Sequence, residues 1–242
     1  MLVLDALGPL DWLALALFLA SWAGFTLFAD WSRWHAQSVA AAMAKYRRLW
    51  LLAMLERDNR MLDAGIMSNL LNGAAFFGST ALLAIGALAA GLGAADTAVD
   101  VLSDLPLAGE VTPALWEAKV LVLLLIFVYA FFKFAWAYRL FSYCAVLIGT
   151  APVDPADSQG RPAALRAARI NTIGARHFNH GQRSFYFALA ALAWFIHALL
   201  FMAATLWVLN ILHRREFRSE TRRVLHAEAE ALLADEEGRK PL

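Results

Sequence analysis

Residues 56–93 read ERDNRMLDAGIMSNLLNGAAFFGSTALLAIGALAAGLG, a knot of charge running straight into an apolar segment rich in small residues. Between Ile66 and Leu92 no residue is charged. A helix rises 1.5 Å per residue, so about 20 apolar residues cross a hydrocarbon core of about 30 Å. The stretch is long enough to span with tilt, and its charged start marks a membrane surface.

The whole chain has the same character. Of 242 residues, 61% are hydrophobic and 17% charged, and the mean hydropathy is +0.55. These values belong to a polytopic membrane protein rather than a soluble domain. A net charge of +1 gives no bulk attraction to nucleic acid, so no nucleic-acid partner is expected. The single cysteine, Cys144, cannot close an intramolecular disulfide and argues against a thiolate metal centre.

Working outward, the apolar runs place four spans at about 12–29, 66–92, 115–138 and 185–212. The first is preceded by Asp5 and Asp11 and followed by Arg33, the wrong polarity for a secretory signal peptide, so it reads as a retained span. The inner connection 30–65 interleaves Arg33, Lys45, Arg47, Arg48, Arg57 and Arg60 with Trp31, Trp34, Tyr46 and Trp50. That pattern suits an amphipathic helix lying in the interface, with tryptophans at the acyl boundary; a solvated connector is the alternative. The second span opens near Asp63, an acid suited to a helix start. It carries a small-residue stripe, Ala74, Gly78, Gly86 and Ala90, that lets another helix approach closely. The outer loop 94–114 is acidic. The third apolar run continues past Tyr138 to Ile148, so its aromatic end must tilt or project beyond the bilayer. The second inner loop, 150–183, is basic, and His197 falls near the middle of the fourth run. The tail, 213–242, places Phe217, Val224, Leu225 and Leu232 on one face, as in an amphipathic rod continuing the last helix.

Basic residues decide the orientation. With the N-terminus outside, both inner connections hold all eleven of their Lys and Arg on the cytoplasmic side. Four spans then leave Arg214, Arg215, Arg218, Arg222 and Arg223 of the tail outside, in conflict with the same rule.

Four segments together, Arg57–Asp63, Asn69–Thr80 with its Phe-Phe-Gly-Ser-Thr, Phe132–Arg139, and Phe178–Trp194, resemble the bacterial membrane proteins grouped as domain of unknown function 599. The resemblance covers about Trp12 to Leu212. It implies a four-span architecture in a bacterial cytoplasmic membrane and supplies no activity, cofactor or catalytic residue.

The fold class expected is therefore all-α: a polytopic membrane protein with four transmembrane helices, an interfacial helix and a helical tail. On this topology Asp58, Asp63, Asn69, Lys133, Arg139, Arg176, His177, His180 and Arg183 share one depth at the inner rim. Such a cluster can bind an anionic solute or a lipid headgroup through charge-assisted hydrogen bonds, or it can pair internally and anchor helices. Within the second reading Lys133 pairs with Asp58 or Asp63, or snorkels. Asn69 and Asn72, one turn apart, suit an interhelical hydrogen bond better than a polar pathway. His35, His177 and His180 are the one conceivable three-imidazole set, yet no metal or cofactor is expected. Phosphate-loop, zinc-protease and nucleophile-elbow motifs are absent from the sequence. The expected function is a non-enzymatic structural or accessory protein in contact with membrane lipids, a homo-oligomer or a subunit of a larger complex. The alternative is a channel or transporter for a small, anionic solute.

Overall fold

A computed structural model describes residues 6–103, 112–154 and 157–227. Part of the outer loop (104–111) and the tail beyond 227, with Leu232, lie outside the described residues. Within them the structure is helix and turn, with no strand. Among the described residues the helices are, in order, α1 (Pro9–Trp31), α2 (Val39–Ala53), α3 (Met61–Leu92), α4 (Ala95–Ser103), α5 (Pro113–Gly149), α6 (Gly160–Leu192) and α7 (Ala198–Phe217), followed by a helical segment from 220. Three of them, α1, α3 and α5, are long and apolar enough to cross a membrane. Helix α5 has 37 residues and so runs about 55 Å, well beyond a hydrocarbon core.

Local chemistry sets the helix ends. Thr112 accepts from Leu115 N at 3.2 Å ahead of Pro113, a residue preorganised for the first helical position. Ser38 caps α2 by accepting from Ala41 N at 3.0 Å, and Glu216 accepts from Ala40 N at 3.0 Å, so two of the orphan amides at that end find oxygens. Asn59 accepts from Met61 N at 2.8 Å at the start of α3. Asp63 does lie in that first turn, but its carboxylate serves other partners.

The chain packs as two compact units. The first comprises 1–27, 78–132 and 180–212; the second comprises 28–77, 133–179 and 213–242. Helices α1, α5 and α7 give their N-terminal parts to the first unit and their C-terminal parts to the second, whereas α3 and α6 do the reverse.

The first unit has an aromatic core. Phe18 of α1 lies 5.6 Å from Phe187 of α6 and 5.1 Å from Phe201 of α7, ring centre to ring centre, and Trp194 stacks on Phe201 at 5.0 Å. The second unit is built on an alanine face of α6. Ala163, Ala164, Ala167, Ala168 and Ala175 are buried there, while Arg161, Arg166, Arg169 and Arg176 are exposed. Small side chains allow α5 to come close: a Cβ on Gly174 would sit 2.9 Å from the Phe141 ring and 3.3 Å from Leu140 Cβ. The small-residue stripe expected on α3 is used only in part. Ala74 and Gly78 are buried, whereas Gly86 and Ala90 are exposed.

Three expectations need correction. The apolar run 185–212 is not a single helix: α6 ends at Leu192, a 3₁₀ turn covers Ala193–Phe195, and α7 starts at Ala198. The reversal is carried by apolar residues, Trp194, Phe195 and Ile196, so composition does not mark it. His197 accordingly lies in this turn, where its Nδ1 accepts from Leu199 N at 3.1 Å, and not in the middle of a span.

The tail is the second correction. It was placed on the side opposite the 30–65 connection, but it is bonded to that connection: Arg222 Nε donates to Gln37 O at 2.6 Å, and His226 Nε2 lies 3.1 Å from Ser38 O. Third, the tail does not continue α7 as one rod. The helix stops at Phe217, and a new helical segment starts at 220, where Ser219 accepts from Arg222 N at 3.1 Å.

Candidate functional site

The expected rim residues fall in both units, each in its own surroundings. Asp63 is fully buried and accepts from Trp50 Nε1 at 2.7 Å and from Arg57 at 2.5 Å. Lys133 was the partner expected for Asp58 or Asp63, and at Asp63 these two donors take that place, because α2 and the turn after it bring Trp50 and Arg57 over the start of α3; Asp58 is exposed. Asn69 and Asn72 are exposed. Arg139 is also exposed and donates to Tyr143 OH, one turn along α5, at 2.5 Å. Arg183 is buried with its guanidinium 5.4 Å from the Phe25 ring centre. His177 and His180 are partly buried, and the His177 ring packs edge-on to Trp136 at 6.4 Å. His35 lies 2.8 Å from Ala29 O through Nδ1. Among the described residues no three His, Cys, Asp or Glu side chains gather closely enough to hold a metal ion, so the three imidazoles do not form a set.

Arg60, beside this corner, closes the end of α5. Its guanidinium donates to Ile148 O at 3.3 Å, to Ala151 O at 2.7 Å and to Pro152 O. Ile148 O also accepts from Ala151 N at 3.3 Å, Ala151 and Pro152 lie just beyond the helix, and a guanidinium offers five donors in a fixed fork that can reach several carbonyls at once. The junction of charge and apolar residues at 56–63 is therefore a structural corner that fixes α2, α3 and α5 of the second unit.

A second corner, in the first unit, escaped the sequence reading. Asp11 of α1 accepts from Trp194 Nε1 at 2.7 Å, and Lys119 of α5 donates from Nζ to Trp194 O at 2.8 Å. Lys119 is only 7% exposed, and its ammonium also lies 5.7 Å from the Trp194 ring centre, a cation–π contact. A cleft of about 240 Å³ opens beside it, lined by Gly8, Asp11, Thr112, Lys119 and His197 among others. Trp116 Nε1 donates to Gly91 O at 3.0 Å and ties α5 to the end of α3 nearby in the chain of contacts. The signals were present but weak: Lys119 is the first basic residue after a run of acids, and His197 is the one histidine in residues 185–212.

An all-helical chain with three membrane-length apolar helices is a membrane protein. The chain belongs to the family described as "Protein of unknown function, DUF599", which matches residues 13–221. The match takes in both corners apart from Asp11. No curated protein and no solved structure matches the chain.

Proposed function

We propose that this is a non-enzymatic structural or accessory protein of the bacterial cytoplasmic membrane, acting by packing against copies of itself or a larger membrane complex. One observation carries the reading. The charged groups that would form an inner mouth are spent on holding helices together: Asp63 on Trp50 and Arg57, and Arg60 on the carbonyls that end α5. Gly86 and Ala90, exposed on an α3 whose most apolar window is only 6% buried, are consistent with a further helix packing there.

The same reading includes an orientation. With the N-terminus outside, the bonds of the tail to the 30–65 connection support an inner position for both, so Arg214, Arg215, Arg218, Arg222 and Arg223 join the other basic connections and the charge rule is satisfied throughout.

Purified protein in proteoliposomes with a panel of ions is the test. The expected result is no solute flux, with Lys133→Ala lowering stability or assembly. A single-copy mass in gentle detergent would remove the self-association. The second reading, a channel or transporter for a small anionic solute, is favoured by the cleft at Asp11, Lys119 and His197. It requires flux that Lys133→Ala or Arg139→Ala alters while the protein stays folded.

A further inference from the structure

Within the second unit, α2 and α6 face each other across a small cleft lined by Asp30, His35, Ala40, Ala44, Arg47, Thr172, Ala175, Arg176 and Asn179. The spacing explains its existence. Ala40, Ala44 and Arg47 fall at i, i+4 and i+7 on α2, and Thr172, Arg176 and Asn179 do so on α6. Alanines at the contact keep the two helices from filling the gap, and the long polar side chains edge it.

Its electrostatics are one-sided. No described side chain pairs with Arg47, Arg176 or Asn179, and the one acid in the lining, Asp30, is already engaged in an interaction of its own. This differs from the Asp63 corner, where each charge has its counterpart. Burial pushes the Arg47 guanidinium below its ordinary value, with no carboxylate nearby offsetting the effect. Arginine stays protonated even so, and a half-buried guanidinium without an acceptor is costly to keep. His35 lies toward Ala29 O through Nδ1, leaving Nε2 as its other polar atom. Thr172 spends its hydroxyl hydrogen on Ala168 O at 2.9 Å.

We propose that this cleft between α2 and α6 is a binding site for a phosphate group, held by Arg47 and Arg176 with the Asn179 amide as a further donor. Two guanidinium forks match the oxygens of a phosphate, each able to make paired charge-assisted hydrogen bonds. The space, about 30 Å³, admits oxygen-sized groups and not a whole headgroup, so the phosphate inserts its oxygens while the rest of its molecule remains outside. A phospholipid meets that demand directly, since its phosphate lies at the depth where a basic, tryptophan-flanked helix such as α2 resides. Inorganic phosphate offers the same oxygens.

The site goes beyond the packing role proposed above, and a flux measurement neither supports nor removes it. Purified full-length protein in detergent is titrated separately with phosphatidylglycerol, with diacylglycerol, which lacks phosphate, and with inorganic phosphate, while thermal unfolding is followed. Stabilisation by phosphatidylglycerol alone supports the site and assigns it to lipid. Stabilisation by inorganic phosphate, competing with the lipid, supports it and assigns it to the free anion. In either case Arg176→Gln and Arg47→Gln weaken binding at least about tenfold, the scale of one lost charge-assisted contact. Arg166→Gln, which removes an equal charge from α6 away from the stripe of Thr172, Arg176 and Asn179, leaves binding unchanged. Should Arg47→Gln fail to fold, Arg176→Gln decides alone, because Arg176 is exposed and its loss leaves packing intact. Binding by folded Arg176→Gln equal to wild type, equal loss in Arg166→Gln, or no stabilisation by either phosphate overturns the proposal.

Discussion

Two corners of this protein each combine an aspartate, a tryptophan and a basic side chain, and differ in how completely they close. In the second unit Asp63 takes the indole N–H of Trp50 and the guanidinium of Arg57; in the first, Asp11 takes the indole N–H of Trp194, and Lys119 holds the Trp194 carbonyl instead of the carboxylate. Asp63 is wholly buried, whereas Asp11 is partly exposed beside a cleft of about 240 Å³. The difference shows what a membrane-edge charge is for. A closed set fixes helices to one another, since in lipid apolar packing alone gives helices little preference for each other over acyl chains. An open set keeps part of its charge within reach of water and of whatever enters the cleft.

The largest effect should come from opening the closed corner. Arg57→Ala strands a buried carboxylate, and about 3–5 kcal/mol of stability should be lost, read as a fall in the unfolding temperature in detergent. Pairing it with Asp63→Asn should recover much of that loss, because the uncompensated charge is gone. If Arg57→Ala is as stable as wild type, the corner does not hold the unit together.

Asp11→Ala should cost less, about 1–2 kcal/mol, since Trp194 Nε1 loses its acceptor at a place water can approach. Equal losses at Asp11 and Asp63 in the same thermal assay would erase the contrast in burial. Lys119→Met should follow, at about 1 kcal/mol, by leaving the Trp194 carbonyl without its donor while keeping the aliphatic packing. Arg139→Ala serves as the floor: its partner, Tyr143, lies on the same exposed face of α5, and its unfolding should not differ measurably from wild type.

The helical class and the membrane-length runs were legible because hydropathy reports them directly. Three of the four runs correspond to α1, α3 and α5, long helices with few charges. The fourth run hid a reversal, since Trp194, Phe195 and Ile196 are as apolar as the helices they join and no Gly or Pro marks the turn. The only trace was indirect, in five arginines of the tail stranded on the wrong side. Asp63 was recognisable as a first-turn acid, but its partners were not: Trp50 lies 13 residues earlier, at a position that suited a membrane-surface anchor equally well. For the rim residues the span bounds gave an expected depth, but which helix faced which was not legible. Arg176 and Arg47 therefore stood in different connections, and only the packing of α2 on α6 places them on one cleft.

The reversal at Ala193–Phe195 is the claim on which the orientation depends, and labelling in intact cells addresses it most directly. Thr97, Ser158 and Thr221, all exposed, are replaced one at a time by cysteine in a Cys144→Ser background and treated with a membrane-impermeant maleimide. A tail held on the same side as the 30–65 connection predicts that the cysteine at 97 reacts while those at 158 and 221 are both protected until the cells are opened. Reaction at 221 in intact cells, with 158 still protected, would place the tail outside and contradict the account.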